Sequence, residues 1–282
     1  MKAAAFDYVR AGSVAEALSL LTRHGAGAKL LAGGQSLLPA LNLRLSAPDI
    51  LIDISRIEAL RGIAVAPSGL RIGALTRHAD LLGSEDIERH APLLSRAIAH
   101  VAHPALRSRG TIGGSLANAD PAAELPACML ALAARMVVQG PDGIRVMPAA
   151  DFFTGLFETS LRADEILTAI EIDPRPADAV HGFAELARRS GDYAIVGLAA
   201  QGRRANGAWT ALRLGYFSVG TRASLATHAA DTLINGGAHD DAATALSRDL
   251  EPHDDLQASA STRLHLARVL LRRVVAAMEN AA

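Results

Sequence analysis

Two paired-glycine segments constrain this chain more than any other feature of its sequence. The first is Ala32-Gly33-Gly34-Gln35-Ser36, directly after the apolar run Lys29-Leu30-Leu31, which predicts a short strand. The second is Thr111-Ile112-Gly113-Gly114-Ser115, after the basic Arg107-Ser108-Arg109. Paired glycines let backbone amides come close to a ligand and adopt positive φ. Consecutive amides aimed into one concavity form an anion nest. Two such loops can grip the two phosphates of a dinucleotide from either side, with Gln35, Ser36, Thr111 and Ser115 as neutral donors. Taken singly, each loop also reads as a tight turn. The chain has neither a GxGxxG fingerprint nor a P-loop signature.

The 282 residues suit about two domains of ordinary size. Half are hydrophobic and a fifth charged, which excludes disorder as the dominant state. The 28 Lys and Arg nearly balance the 29 Asp and Glu. That neutrality argues against nucleic acid or an anionic membrane as the main partner. No charge-free apolar run is long enough for a membrane span, and Asp7 and Arg10 interrupt any signal-peptide core. The cytoplasm is therefore the expected compartment. The single cysteine, Cys128, cannot build a disulfide framework, a structural zinc site or an iron–sulfur cluster. Redox chemistry in such a chain needs an organic cofactor, or metal centres on another chain.

The element pattern is mixed. Ser13-Val14-Ala15-Glu16 is a capping box that opens a helix ending near Gly25. Ile50–Ile54 reads as a second buried strand, so the first 55 residues form a small α/β unit. Hairpins are predicted around Ala66-Pro67-Ser68-Gly69 and Gly140-Pro141-Asp142-Gly143. Helical patterns fall near Thr76–Leu82 and Pro92–Val101, and Glu165–Ile172 reads as a strand. Two prolines in Asp173–Asp178 mark a linker. Beyond it, three strands are predicted over Gly182–Arg188, Tyr193–Gln201 and Trp209–Val219, with the hairpin dipeptide Asn206-Gly207 between the last two. Helices are predicted over Ala223–Leu233, Asp241–Leu250 and Ser261–Met278.

Other candidate sites weaken on inspection. His100 and His103 have the spacing of a ligand pair, but no third ligand follows and Pro104 breaks any helix there. Asp240, Asp241, Asp254 and Asp255 read as solvated helix starts. Cys128 reads as a small buried hydrophobe. The arginines from Arg268 to Arg273 read as a solvent-facing or subunit-facing stripe. No Ser/His/Asp triad is arguable from the spacings.

Three longer strings carry a resemblance. Positions 32–45 read AGGQSLLPALNLRL, positions 103–127 read HPALRSRGTIGGSLANADPAAELPA, and positions 188–196 read RRSGDYAIV. In order and separation they resemble the FAD-binding medium subunits of the bacterial molybdenum hydroxylases, the xanthine dehydrogenase and carbon monoxide dehydrogenase family, along the whole chain. The resemblance implies an α+β chain. A PCMH-type FAD-binding domain over 1–176 would have two α+β subdomains, about 1–55 and 56–176. A carbon monoxide dehydrogenase flavoprotein C-terminal-like domain over 177–282 would carry a three-stranded antiparallel sheet with helices.

The resemblance also implies a site. Lys29, Leu30, Leu31 and Leu37 would line FAD. Ala32, Gly33, Gly34, Gln35 and Ser36 would hold its pyrophosphate. Val101 and Ala102 would lie near the flavin or ribityl chain. Thr111, Gly114, Ser115 and Asn118 would form the second phosphate loop and its surroundings. Glu124, where relatives often have Asp, would bond ribityl or adenosine hydroxyls, and Leu161 would sit near the dimethylbenzene edge or adenine. Tyr193 would cover the isoalloxazine face, although an ordinary half-buried strand position is its alternative. One departure is Glu185, where some relatives carry a lysine near the pyrimidine end. A cation there stabilises an anionic reduced flavin and a carboxylate opposes it, unless Arg188 or Arg189 takes over.

The function so implied is an oxidoreductase subunit with no catalytic acid or base and no metal of its own. It would take electrons from [2Fe–2S] clusters on a small subunit, downstream of a molybdenum pterin on a large subunit. It would pass them to an external acceptor, either NAD, a quinone, a cytochrome or oxygen, within a heterohexamer of two three-subunit units. The alternatives are a self-sufficient FAD-dependent oxidase or dehydrogenase, or a non-catalytic nucleotide-binding subunit.

Overall fold

The computed structural model describes residues 2–189 and 191–281. Ser190, inside the third resemblance string, lies outside the described residues.

The N-terminal unit is a parallel sheet of β1 (Asp7–Arg10), β2 (Ala28–Leu31) and β3 (Ile50–Asp53), ordered β1-β3-β2. The central β3 is buried at every position, and its first three residues, Ile50, Leu51 and Ile52, form an apolar run before the buried Asp53. Helix α1 (Val14–His24) crosses from β1 to β2. The Glu16 amide donates to Ser13 Oγ, and the Gly12 amide donates to the Glu16 carboxylate. Ala17, Leu18 and Leu21 fill the space over the sheet. Helix α2 (Leu37–Asn42) follows the first glycine pair. The exposed β1 was absent from the sequence reading.

The second unit is an antiparallel sheet. Its first hairpin joins β4 (Ile63–Ala66) and β5 (Gly69–Gly73). Its second joins β6 (Arg135–Gly140) and β7 (Gly143–Pro148). Both stand where the turn residues place them. A two-stranded ribbon of β8 (Phe153–Gly155) and β9 (Glu158–Thr159) precedes β10 (Ile166–Ile172). The sheet order is β4-β5-β10-β6-β7. Six helices fill the connection from β5 to β6. They are α3 (His78–Leu82), α4 (Glu85–His90), α5 (Pro92–Ile98), α6 (Pro104–Arg107), α7 (Ile112–Asn118) and α8 (Glu124–Ala131). Helix α9 (Ala149–Phe152) follows β7. Cys128 is buried on α8, and burial pushes its thiol pKa up, as expected of a core residue.

The third unit is an antiparallel sheet of β11 (Ala179–Ala187), β12 (Ala194–Ala205) and β13 (Ala208–Phe217). The predicted three-stranded sheet gains a short fourth strand, β14 (Ser224–Leu225), which takes the first residues expected to be helical. Asn206 and Gly207 turn at φ 51° and 80°, the geometry of a tight hairpin. Helices α10 (Thr227–Ile234), α11 (His239–Asp249) and α12 (Ala260–Asn280) cover one face. The other face packs on the second unit: Ala194, Ala199 and Phe217 join its core. At Gly215 a Cβ would come within 2.5 Å of the Ala127 carbonyl oxygen, so β13 lies against the backbone of α8. No helix among the described residues is long and apolar enough to cross a membrane.

Candidate functional site

The two glycine segments meet in space. A Cβ at Gly33 would stand 2.3 Å from the Arg109 carbonyl oxygen and 2.9 Å from the Gly110 Cα. A Cβ at Gly114 would lie 3.8 Å from the Ala32 Cβ. The first unit thus touches the second backbone to backbone. Gly34 turns at φ 73°, and Gln35 Nε2 donates to the Gly33 carbonyl at 2.9 Å. The amides of Gly33, Gly34, Gln35 and Ser36 find no acceptor among the described residues. Successive free amides in a turn are an anion-binding arrangement.

The second loop is built differently from the expected pair of nests. Its Ile112 and Gly113 amides donate to the carbonyls of Thr76 and Ala74. Its Gly114 and Ser115 amides donate to the Thr111 hydroxyl and carbonyl. The protein itself uses all four, so this loop offers side chains in place of amides. His78, beneath it, donates its own amide to the Gly110 carbonyl at 3.0 Å. Burial holds the His78 imidazole down to about 4, so the loop rests on a neutral ring near neutral pH.

Helix α7 runs from this loop for seven residues, about 10 Å. It ends at Ala119 in the left-handed region, φ 48°, and the chain turns into Asp120. An acidic cluster gathers at this end. Burial pushes the Glu124 carboxyl up to about 7, with Glu185 and Asp120 adding repulsion. Burial also raises Asp120, against a hydrogen bond from the Ala122 amide at 2.9 Å. Glu185 reaches in from β11 with its side chain 7% exposed. Its Oε1 lies 3.3 Å from His100 Nδ1, while Oε2 is buried with no partner. Burial raises this carboxyl, and His100 opposes the shift. Tyr193, just before β12, is 61% exposed, which excludes ordinary strand packing in this chain. Beside it, a cavity of about 300 Å³ is lined by Arg188, Gly191, Asp192, Tyr193 and Gln257.

The remaining sequence candidates divide. Leu30, Leu31 and Ala32 are half-buried on the approach to the first loop, Ser36 is exposed at the loop and Leu37 opens α2. Lys29 is exposed and about 13 Å back along the strand from Gly33, the least integrated of the set. Ser115 and Asn118 are half-buried on α7. Val101 and Leu161 pack half-buried against the same core as α7 and α8. Ala102 takes φ 45° in the connection from α5 to α6. His100 and His103 flank these two and reach the third unit: His100 meets Glu185, and the His103 ring stands where a Cβ on Gly191 would be. They contact separate partners, and no metal-holding group of three His, Cys, Asp or Glu exists among the described residues. Sequence reading missed Asp120, His78 and the His100–Glu185 pair. Only Asp120 left a signal, as the acid of Asn118-Ala119-Asp120-Pro121 just past a helix.

Comparison with known proteins agrees with this arrangement. Residues 4–176 match the family described as FAD binding domain in molybdopterin dehydrogenase, and residues 181–278 match the CO dehydrogenase flavoprotein C-terminal domain. The 6-hydroxypseudooxynicotine dehydrogenase complex subunit alpha of Paenarthrobacter nicotinovorans is 40% identical over 98% of this chain and 95% of its own length. The carbon monoxide dehydrogenase medium chain of Hydrogenophaga pseudoflava is 35% identical over 96% of each. A solved carbon monoxide dehydrogenase from that organism superposes with a TM-score of 0.96 at 36% identity, over 99% of this chain and 98% of that one. Quinoline 2-oxidoreductase from Pseudomonas putida 86 gives 0.93 at 38% identity, over 100% and 99%. The chain therefore belongs to the FAD-binding subunits of the molybdopterin-dependent dehydrogenases.

Proposed function

We propose that this chain carries FAD as the electron-transfer subunit of a molybdenum hydroxylase complex. It takes electrons from [2Fe–2S] clusters on a small subunit, downstream of a large molybdenum subunit, and passes them to an external acceptor. The observation that carries the reading is the spacing of the site. A nest of free amides at residues 33–36 lies one short helix away from an acid cluster beside an exposed tyrosine.

Those groups fit FAD. The free amides suit phosphate oxygens, Glu124 and Asp120 suit sugar or ribityl hydroxyls, and the Tyr193 face suits an aromatic ring. When bound, FAD supplies a ring that exchanges electrons singly or in pairs. The protein's residues bind, orient and shield. The free amides of the first glycine loop would hold the pyrophosphate by hydrogen bonding, and Ser115 and Asn118 on α7 would add donors to the same region. Tyr193 would cover one face of the ring. Val101, Ala102 and Leu161 exclude water at the core side. No residue serves as acid or base toward an organic substrate. We place the chain in the cytoplasm, in a dimer of three-subunit units, with domains over 1–176 and 177–282.

The test is expression alone and with the small and large subunits. The isolated chain should bind FAD yet oxidise no heteroaromatic, aldehyde or carbon monoxide substrate. The assembled complex should turn over, with flavin and cluster absorbance bleached together. Robust turnover by the isolated chain would overturn the reading in favour of a self-sufficient flavoenzyme.

A further inference from the structure

The acid cluster beside Tyr193 has a property that FAD binding alone does not require. Three carboxyls, Asp120, Glu124 and Glu185, converge there from two different units of the fold. Glu185 is over nine-tenths buried, and its Oε2 has no hydrogen-bond partner. A buried, unpartnered carboxylate oxygen is costly as an anion, and a second anion beside it is costlier.

We propose that Asp120, Glu124 and Glu185 make the ring end of this site hostile to negative charge, so that each electron pair entering FAD here is accompanied by two protons from water and leaves the reduced ring uncharged above neutral pH. This rests on the ring lying at Tyr193, as proposed above. Electrons come from a one-electron donor such as an iron–sulfur protein, or dithionite in vitro. Two electrons and two protons enter, so the net charge of the ring does not change.

The surrounding cations do not cancel the cluster. Arg188 donates to the Gln257 carbonyl at 3.1 Å, and Arg188 and Arg189 are both exposed at the end of β11. On α5, Arg96 donates to the His181 carbonyl. In the connection from α5 to α6, Arg107 donates to the carbonyls of Val101 and Ala102. His103 of that connection faces Gly191. On α12, Arg263 serves the Ile195 and Ser218 carbonyls and the Asp255 carboxylate. At the start of β12, Asp192 and Tyr193 bring no positive charge. Among the described residues, His100 is the one basic side chain paired with Glu185, and it is charged only when protonated. Glu124, pushed up to about 7, agrees with a cluster that retains protons where an exposed one would not.

The experiment is a potentiometric titration of the FAD-loaded chain, with dithionite and mediators, from about pH 7 to about pH 8.5. Two protons per electron pair change the equilibrium a hundredfold per pH unit, about 59 mV, whereas one proton changes it tenfold, about 30 mV. The parent should follow the steeper slope. Glu185→Lys should follow the shallower one and have a higher potential at the alkaline end. Glu185→Gln, nearly isosteric, should raise the potential at the alkaline end even if the lysine variant fails to load FAD. A shallow slope in the parent, or a potential unchanged in Glu185→Gln at the alkaline end, overturns the proposal. Failure of the parent to bind FAD overturns the functional reading instead.

Discussion

At the scale of single residues, the two glycine pairs serve different ends. Gly33 is needed by the protein: any Cβ there meets the Arg109 backbone, which cannot move without opening the seam between the first two units. Gly114 is needed by the gap: its Cβ would meet only the Thr111 hydroxyl at 2.9 Å, with Ala32 at ordinary contact distance. Gly33→Ala should therefore lower stability by about 1–3 kcal/mol, seen as a melting point several degrees lower even without cofactor. Gly114→Ala should melt near the parent, its gain in helix propensity offsetting the crowded Thr111 cap, and on the proposed reading should bind FAD at least about tenfold more weakly, because the methyl narrows the gap assigned to phosphate. Parent-like affinity in Gly114→Ala, measured by flavin fluorescence titration, would remove the gap between the loops as the phosphate seat.

At the scale of elements, Thr111 links the loop to α7. Its hydroxyl accepts from the Gly114 amide at 3.2 Å, and its own backbone bridges Arg77. Thr111→Ala should cost about 1 kcal/mol in a denaturant titration, the usual loss of an N-cap, while Thr111→Ser should restore most of it. The same element shows what sequence conveys and what it hides. The hairpins at Pro67-Ser68, Pro141-Asp142 and Asn206-Gly207 were legible because their turns need particular residues. Helix α7 was not, because Ile112-Gly113-Gly114 is a poor helix former, held by the Thr111 cap and by packing. Helix α8 was not, because it is buried from Leu125 to Ala131 and has no polar stripe to show its period. The glycine loops and Tyr193 were legible as motifs. The Glu185–His100 pair was not, since its members stand 85 residues apart and only the docking of β11 against α5 brings them together.

At the scale of the whole molecule, two carboxyls pull stability in opposite directions with pH. Glu165 accepts from Arg145 and Arg162, and the Arg145 guanidinium above all holds it down to about 2. Its contribution is present above its ordinary value and lost as pH falls through about 2. Glu124 is raised, so its contribution is complete below the ordinary carboxylate range and lost as pH rises through about 7. Urea titrations should show the parent weakening as pH rises from about 5 to about 7 and levelling off above that, and Glu124→Gln with a flatter profile over the same range. A parent-like slope in Glu124→Gln would mean that its carboxyl is no more than solvated surface. The assembly of the site from residues 33–36, 111–124, Glu185 and Tyr193 also bears on biosynthesis. A ribosome releases both glycine loops well before Glu185 and Tyr193 emerge, and N-terminal units fold as they appear. On the proposed reading, the nascent chain can thus form the phosphate seat early, while the residues assigned to cover the ring arrive only with the last third of the protein. Loading of the cofactor would then be a late event, and a translation product stopped at the proline linker would offer a nucleotide handhold with no cover over its reactive end.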